Sequence, residues 1–480
     1  MRQNSHQLWA GLYCPALPLA AVWQLAPTAG PLAVHDSVRG QARIFQVNAL
    51  AAQHGAKPGQ SLSQALAVLP QLQTRVRCRD NEARMLEQMA LLAYQHSHQV
   101  SLAPPDTVLL EVGGSRRLRG GLKPMLDALQ DEALASGLEL RIGLAPVASA
   151  ACLLARYDQR ISKPAALDQA LGALDIDQLM LKTDQRKALQ GCGFKKVSAL
   201  TALPGPERAR RFGPALSNYL DELHGRRPTP LAQWQPPEVF SLNLELPVPT
   251  VRSDALMFVF NRGLDTLSRW LEIRDHGLSQ LRVRMKREDG GPAHRFEIGL
   301  SQPGFDRARL LELIQLKLDG IKLGGEIDAL TLDADSTAER RPAQSDLLSG
   351  RNGNSHCNRD DAWPALLDRL SARLGESGLS SLAPTADHRP EHAWAWVAPG
   401  TSSPCLDCRP RPSWLLPQPK PCRRDTLTLE DGPERIESGW WDGQDCLRDY
   451  WIARDAQGRQ LWVFREHQPR DGWFIHGLFG

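Results

Sequence analysis

Short apolar runs alternate with amphipathic stretches through the first 165 residues, the pattern of an α/β region. LWAGLYC (8–14), PLAVHD (31–36) and ARIFQVN (42–48) are predicted strands. ALAAQHGAKPGQSLSQALAVLP (49–70) gives a helix ending near Gly55, a Lys-Pro-Gly turn and a second helix from Ser61, with Leu62, Ala65, Leu66 and Leu69 on one face. A helix follows over 82–96, a strand at TVLLEVGG (107–114), a helix over 122–135 and a strand within LELRIGLAP (138–146).

From 166 to 227 the pattern turns helical. RPTPLAQWQPP (227–237) holds four prolines in eleven residues and is read as a linker, because proline supplies no backbone donor to an element interior. A second mixed unit then runs strand, helix, strand, strand, helix, strand: FSLNLELPV, 254–271, LSQLRVRMKRE, AHRFEIGLS, 306–318 and EIDALTLDA. That order predicts a split βαβ module with antiparallel contacts. Residues 336–360 are polar and turn-rich and read as a tether, WPALLDRLSARLG (363–375) is helical, and 384–421 is rich in proline. ERIESGWWDG, LRDYWIARDAQG and RQLWVFREH, followed by WFIHGLFG, predict a small closing sheet.

A length of 480 residues exceeds a single core and implies several domains. Nine cysteines at irregular spacing exclude a disulfide scaffold and suit a reducing cytoplasm. Proline and tryptophan interrupt the apolar N-terminus, so a secretory signal is not expected, and no apolar stretch is long enough to predict a membrane span. The formal charge is only +3, so the placement of charge matters more than its sum. Nine of the 13 tryptophans fall after residue 360, which marks the tail as differently built.

Two basic regions stand out. The segment 195–227 carries seven Lys or Arg against three acids, opening with Lys195 and Lys196 in GCGFKK (191–196), a turn able either to offer amides to phosphate or to cap a helix. In the second module Arg282, Arg284 and Lys286 alternate with Leu281, Val283 and Met285, so a two-residue period sends three cations to one face. Such a face suits DNA phosphates, and equally suits water.

Candidate chemistry is sparse. RGGLKPM (119–125) lacks P-loop spacing, no GxSxG elbow occurs, and CLDC (Cys405, Cys408) has no second knuckle to complete a zinc site. No cofactor or resident metal is expected. Two-metal nucleotidyl transfer needs converging carboxylates, yet the predicted central strands offer only Asp106 and Glu111, with Asp36 nearby only if a fold is assumed.

The order of pieces, with PLAVHD, VSLAPPDTVLLEVGGSRRLRGG, RIGLAPVASAACLLAR and GFKKVSALTALPGPERARRFGPALSNYL, resembles the Y-family translesion DNA polymerases. The closing aromatic pattern is similar to that of a polymerase-like branch found in a bacterial damage-inducible mutagenesis cassette. The resemblance implies a multidomain α/β and α+β right hand: palm (1–34 and 98–165), fingers (35–97), helical thumb (166–230) and little finger (238–335). A tether (336–360), a proline-rich interaction region (361–422) and a small β-rich unit (423–480) would follow. It also implies a dismantled site. PPDTVLLE stands where the family has SIDEAFLD, keeping Asp106 and Glu111 but placing Thr107 at the catalytic Glu. The fingers Tyr and Arg correspond to Ala49 and Ala52, the lysines of SNKxLAK to Ala148 and Cys152, and the first strand has no acid.

By the same resemblance QSDLL is a sliding-clamp peptide, with Gln344, Asp346, Leu347 and Leu348 as contacts. Trp440, Trp441, Tyr450, Trp451 and Trp462 would meet a RecA-like accessory protein and an error-prone replicative-type polymerase, or form the core of the small sheet. The expectation is a non-catalytic adaptor on primer-template DNA. The alternatives are a divergent active polymerase and a protein-only scaffold without DNA binding.

Overall fold

A computed structural model describes residues 7–23, 30–38, 40–339, 357–375, 378–399, 401, 409–468 and 472–480. The chain forms two compact units, 1–354 and 355–480. The first begins with β1 (Trp9–Tyr13), α1 (Leu17–Trp23), β2 (Leu32–Val38), β3 (Gln41–Val47), α2 (Ala49–Gln53), α3 (Leu62–Val68) and β4 (Gln73–Val76). It continues through α4 (Arg79–Tyr94), β5 (Val100–Ala103), β6 (Thr107–Glu111), α5 (Leu122–Ala135), β7 (Arg141–Ala145) and α6 (Ala148–Ala155).

Strands β5, β6, β1 and β7 make an antiparallel sheet in that order, and β3, β2 and β4 a separate small one. The two-residue period divides the first sheet cleanly. Ala10, Leu12, Val108 and Leu110 pack with Met85, Met89, Met125 and Leu129 of α4 and α5. The opposite face takes α6 at very short range: a Cβ on Gly143 would lie 2.1 Å from the amide nitrogen of Ala155, and one on Gly11 2.6 Å from the carbonyl oxygen of Ala151. Only glycine in the strands lets this alanine-rich helix lie so close.

Five helices follow: α7 (Pro164–Ala173), α8 (Thr183–Gly191), α9 (Val197–Thr201), α10 (Gly205–Phe212) and α11 (Pro214–Leu223). The second module is β8 (Phe240–Thr250), α12 (Ser253–Arg274), β9 (His276–Arg287), β10 (His294–Gly304), α13 (Arg307–Asp319) and β11 (Ile327–Glu339). Its strands run antiparallel in the order β10, β9, β11, β8, the expected split βαβ arrangement.

The proline-rich linker forms no element of its own, as expected, but it is strapped down. Trp234 donates its amide to the Val100 carbonyl at 2.8 Å and meets Tyr94 edge-on at 5.9 Å. Trp270 Nε1 and Arg274 of α12 both donate to the Pro237 carbonyl, at 2.9 and 2.7 Å. Gln95 to Glu272 and Arg84 to Glu245 add side-chain bridges between the first sheet's helical layer and the second module.

The second unit comprises α14 (Cys357–Leu374), a hairpin of β12 (Ser381–Pro384) and β13 (Trp394–Val397), and β14 (Trp414–Cys422), β15 (Thr428–Ser438), β16 (Cys446–Arg454), β17 (Gln460–Gln468) and β18 (Gly472–Leu478). The last five pair antiparallel in the order β14, β18, β17, β16, β15. The closing sheet thus reaches back to Trp414 rather than starting at 423, since β14 pairs with the final strand despite its prolines. As an edge strand it can spare the amides that proline lacks.

Candidate functional site

Asp106 lies just before β6, where Thr107 is paired with Tyr13 of β1. Thr107 Oγ1 donates to Asp106 Oδ1 at 3.0 Å, and Arg156, just past α6, donates Nη2 to the same oxygen at 2.6 Å. The Arg156 guanidinium stands 4.4 Å from the Tyr13 ring centroid, and about a fifth of each of the Arg156 and Asp106 side chains is exposed. Burial works against the Arg156 charge, but the attraction of Asp106 and its hydrogen bond outweigh it and hold the guanidinium firmly protonated. Cys152, one turn back along α6, shares a hydrogen bond with Thr107, and burial pushes its thiol up.

Glu111 is the second surviving acid of the sequence reading. It occupies the far end of β6, about 16 Å along the strand from Asp106. Its buried carboxylate accepts amides from Leu8 at 3.1 Å, Gly113 at 2.8 Å and Gly114 at 3.1 Å. It braces the loop after the strand and cannot share a ligand with Asp106. Asp36, on β2, is engaged instead by Arg77 at 3.8 Å and Arg79 at 3.5 Å. The donor set does not fit a pair of divalent cations: β1 contributes no acid, Asp106 already holds a guanidinium, and Glu111 is remote. Among the described residues no group of three His, Cys, Asp or Glu converges to hold a metal ion.

Of the positions that the resemblance matches to the catalytic Glu and to nucleotide contacts, only Thr107 and Cys152 gather around Asp106. Ala148 is buried at the start of α6, whose far end carries Arg156. Ala49 and Ala52 are exposed on α2, beside the small sheet. Sequence reasoning missed Arg156 and Tyr13, which lie far from Asp106 along the chain, although Arg156 closes the RIGLAPVASAACLLAR stretch.

The period-two reading of β9 holds: Leu281, Val283 and Met285 are buried, while Arg282, Arg284 and Lys286 are exposed. The strand register changes the charge pattern, however. Arg282 lies between Glu297 and Asp333, Arg284 between Arg295 and Thr331, and Lys286 Nζ bonds Asp328 at 2.9 Å. The face is therefore mixed, with Arg295 an added cation and three acids among the bases. In the helical region Lys195 is exposed in the turn between α8 and α9, whereas Lys196 Nζ bonds the Ala173 carbonyl at 2.9 Å and Asp175 at 3.0 Å.

The tail aromatics divide. Tyr450 and Trp462 are 1% and 2% exposed, stacked with centroids 4.2 Å apart, so they are core and offer no surface to a partner. Trp451 is half-buried against Trp473. Trp440 and Trp441 are exposed in the turn between β15 and β16. The QSDLL segment and the CLDC pair lie outside the described residues.

The model of the impB/mucB/samB family matches residues 20–156. Protein ImuB of Caulobacter vibrioides, in two strains, is 29% identical over 464 residues, spanning 89% of this chain and all of that protein. Among solved structures, an insertion ternary complex of Dbh DNA polymerase superposes with a TM-score of 0.41 at 15% identity, over 69% of this chain and 99% of that one. DinB from Sulfolobus solfataricus gives 0.39 at 15%, over 68% and 98%.

Proposed function

Because the chain is a Y-family polymerase-like protein similar to ImuB across most of its length, we propose that it is a non-catalytic adaptor for damage-induced translesion synthesis in the cytoplasm. In this reading the first sheet with its helices is the palm, the β2–β4 unit the fingers, α7–α11 the thumb and the second module the little finger.

One observation carries the loss of chemistry: the surviving palm carboxylate is bound by Arg156. Nucleotidyl transfer is driven largely by metal ions and fixed charges that compensate the triphosphate. A site whose single acid already carries an internal counter-ion, with Thr107, Ala49, Ala52, Ala148 and Cys152 at the other positions, lacks that compensation. The test is primer extension on undamaged and lesion templates with Mg²⁺ or Mn²⁺. The expected result is no product, and extension abolished by Asp106→Ala overturns the proposal.

Binding roles remain to the rest of the chain. Lys195 in the helical region and Arg282, Arg284, Lys286 and Arg295 on the second sheet would contact the phosphate backbone, with salt-dependent affinity. Gln344, Asp346, Leu347 and Leu348 would dock on the sliding clamp. The tail would recruit the error-prone replicative-type polymerase and the RecA-like accessory protein.

A further inference from the structure

The turn between β15 and β16 carries an unusual load. Trp440 is 79% exposed and Trp441 57%, their rings edge-to-face with centroids 5.7 Å apart. Trp396 and Trp414, on strands of the same unit, are also open at 67% and 66%, but among the described residues no tryptophan is as exposed as Trp440. The turn beneath them is fixed. Gly439 has φ +96°, and a Cβ there would sit 2.2 Å from the Gln444 carbonyl oxygen. Asp442 Oδ1 accepts the Gln444 amide at 3.0 Å.

Arg389 anchors this turn from below, its side chain only 4% exposed. Its Nη2 bonds Asp442 at 2.6 Å and Asp387 at 2.7 Å, its Nη1 bonds the Gln444 carbonyl at 3.3 Å, and its guanidinium lies 5.6 Å from the Trp441 ring. An exposed aromatic pair on a braced base has already met much of the ordering cost of binding.

The charge around the pair selects its occupant. Residues 436–445 contain Glu437, Asp442 and Asp445 and no Lys or Arg; Arg389 beneath them answers two carboxylates, Asp387 and Asp442, and Arg435 is paired with Asp449, so the turn stays net acidic. An acidic collar repels the phosphates of nucleic acid and of anionic lipid, and a second copy would bring one acidic turn against another.

We propose that Trp440 and Trp441 insert into an apolar pocket with a basic rim on a protein partner, and that Arg389 is the positioning residue that aims them. This rests on the adaptor reading, and it narrows the recruiting surface from five aromatics to one turn.

The test titrates the purified RecA-like accessory protein and the purified error-prone polymerase, separately, against the full chain and three variants. Trp440→Ala with Trp441→Ala is expected to weaken one of the two complexes by about 30-fold or more. Glu437→Lys with Asp445→Lys is expected to weaken the same complex and flatten its salt dependence. Arg389→Lys keeps both tryptophans and the charge but loses the planar fork, and is expected to cost about 5-fold while raising acrylamide quenching of tryptophan in the unbound chain. Wild-type binding with unchanged affinity in the double tryptophan variant overturns the inference and leaves the adaptor reading standing. Wild-type binding to neither protein overturns both. Self-association lost in that variant, with partner binding intact, makes a second copy the occupant and also overturns it.

Discussion

Arg156 in the first unit and Arg389 in the second each lie against an aromatic ring, with one carboxylate on the first guanidinium and two on the second, yet the two nodes serve opposite ends. At Arg156 the bond runs inward. It ties α6 to the edge of β6 and, in the proposed reading, occupies the acid that a metal would need. At Arg389 the bonds run outward, bracing a turn so that two tryptophans stand in solvent. The difference lies less in the ion pair than in its carrier. Arg156 sits just past a helix pressed flat on a sheet, whereas Arg389 lies under a glycine-rich turn whose backbone has no sheet to lie on.

The severest way to disturb the first node is through its support. Gly143→Val would drive a side chain into the backbone of α6, and we expect a loss of about 4 kcal/mol or more in chemical denaturation. Retention of wild-type stability would show that α6, and with it Arg156, is less tightly seated than the contacts require.

The second unit has its own buried titratable group. His476 stacks on Tyr450 and Trp462 and meets Phe464 edge-on, with its Nδ1 2.8 Å from the Tyr450 hydroxyl and Glu391 and Arg448 nearby. Burial lowers its pKa from 6.5 to about 4. The unfolded chain therefore binds the proton more tightly, so stability is full above pH 6.5 and falls as pH drops toward 4, by on the order of 3 kcal/mol. Asp387 and Asp449, held down to about 2 by Arg389 and Arg435, contribute losses only at lower pH. Thermal unfolding followed by tryptophan fluorescence should show the fall, and His476→Gln should flatten it.

The mildest effect is expected at Arg156 itself. Arg156→Ala removes a partly exposed pair, at about 2 kcal/mol, and in the adaptor reading should leave primer extension absent, since Asp106 would still stand without partner acids. Extension appearing in that variant would mean that the arginine alone had silenced the site.

Much of the fold was legible because it rests on local periodicity. The alternation in LRVRMKRE foretold which side chains of β9 face water, and the split βαβ order followed from element succession. What periodicity along one strand does not carry is the identity of the neighbours across it: Glu297 and Asp333 enter the cationic face through register, from strands β10 and β11. Arg156 was hidden for the same reason, lying 50 residues from its carboxylate. Glu111 and Asp106 show that proximity in sequence along a strand is separation in space. Among the tail aromatics the same alternation separates Tyr450 from Trp451, and the glycines at 439 and 443 bracket a turn, so composition concealed a distinction that the pattern contained.

The strapped linker bears on how far the second module is an interchangeable part. A chimera joined at either end of the 227–237 segment would separate Trp234 from Tyr94 and Val100, or the Pro237 carbonyl from Trp270 and Arg274. A workable graft would carry the segment together with the surfaces of α4 and α12 that grip it. The unit that can be inherited or transplanted as a whole is thus larger than the domain that topology outlines.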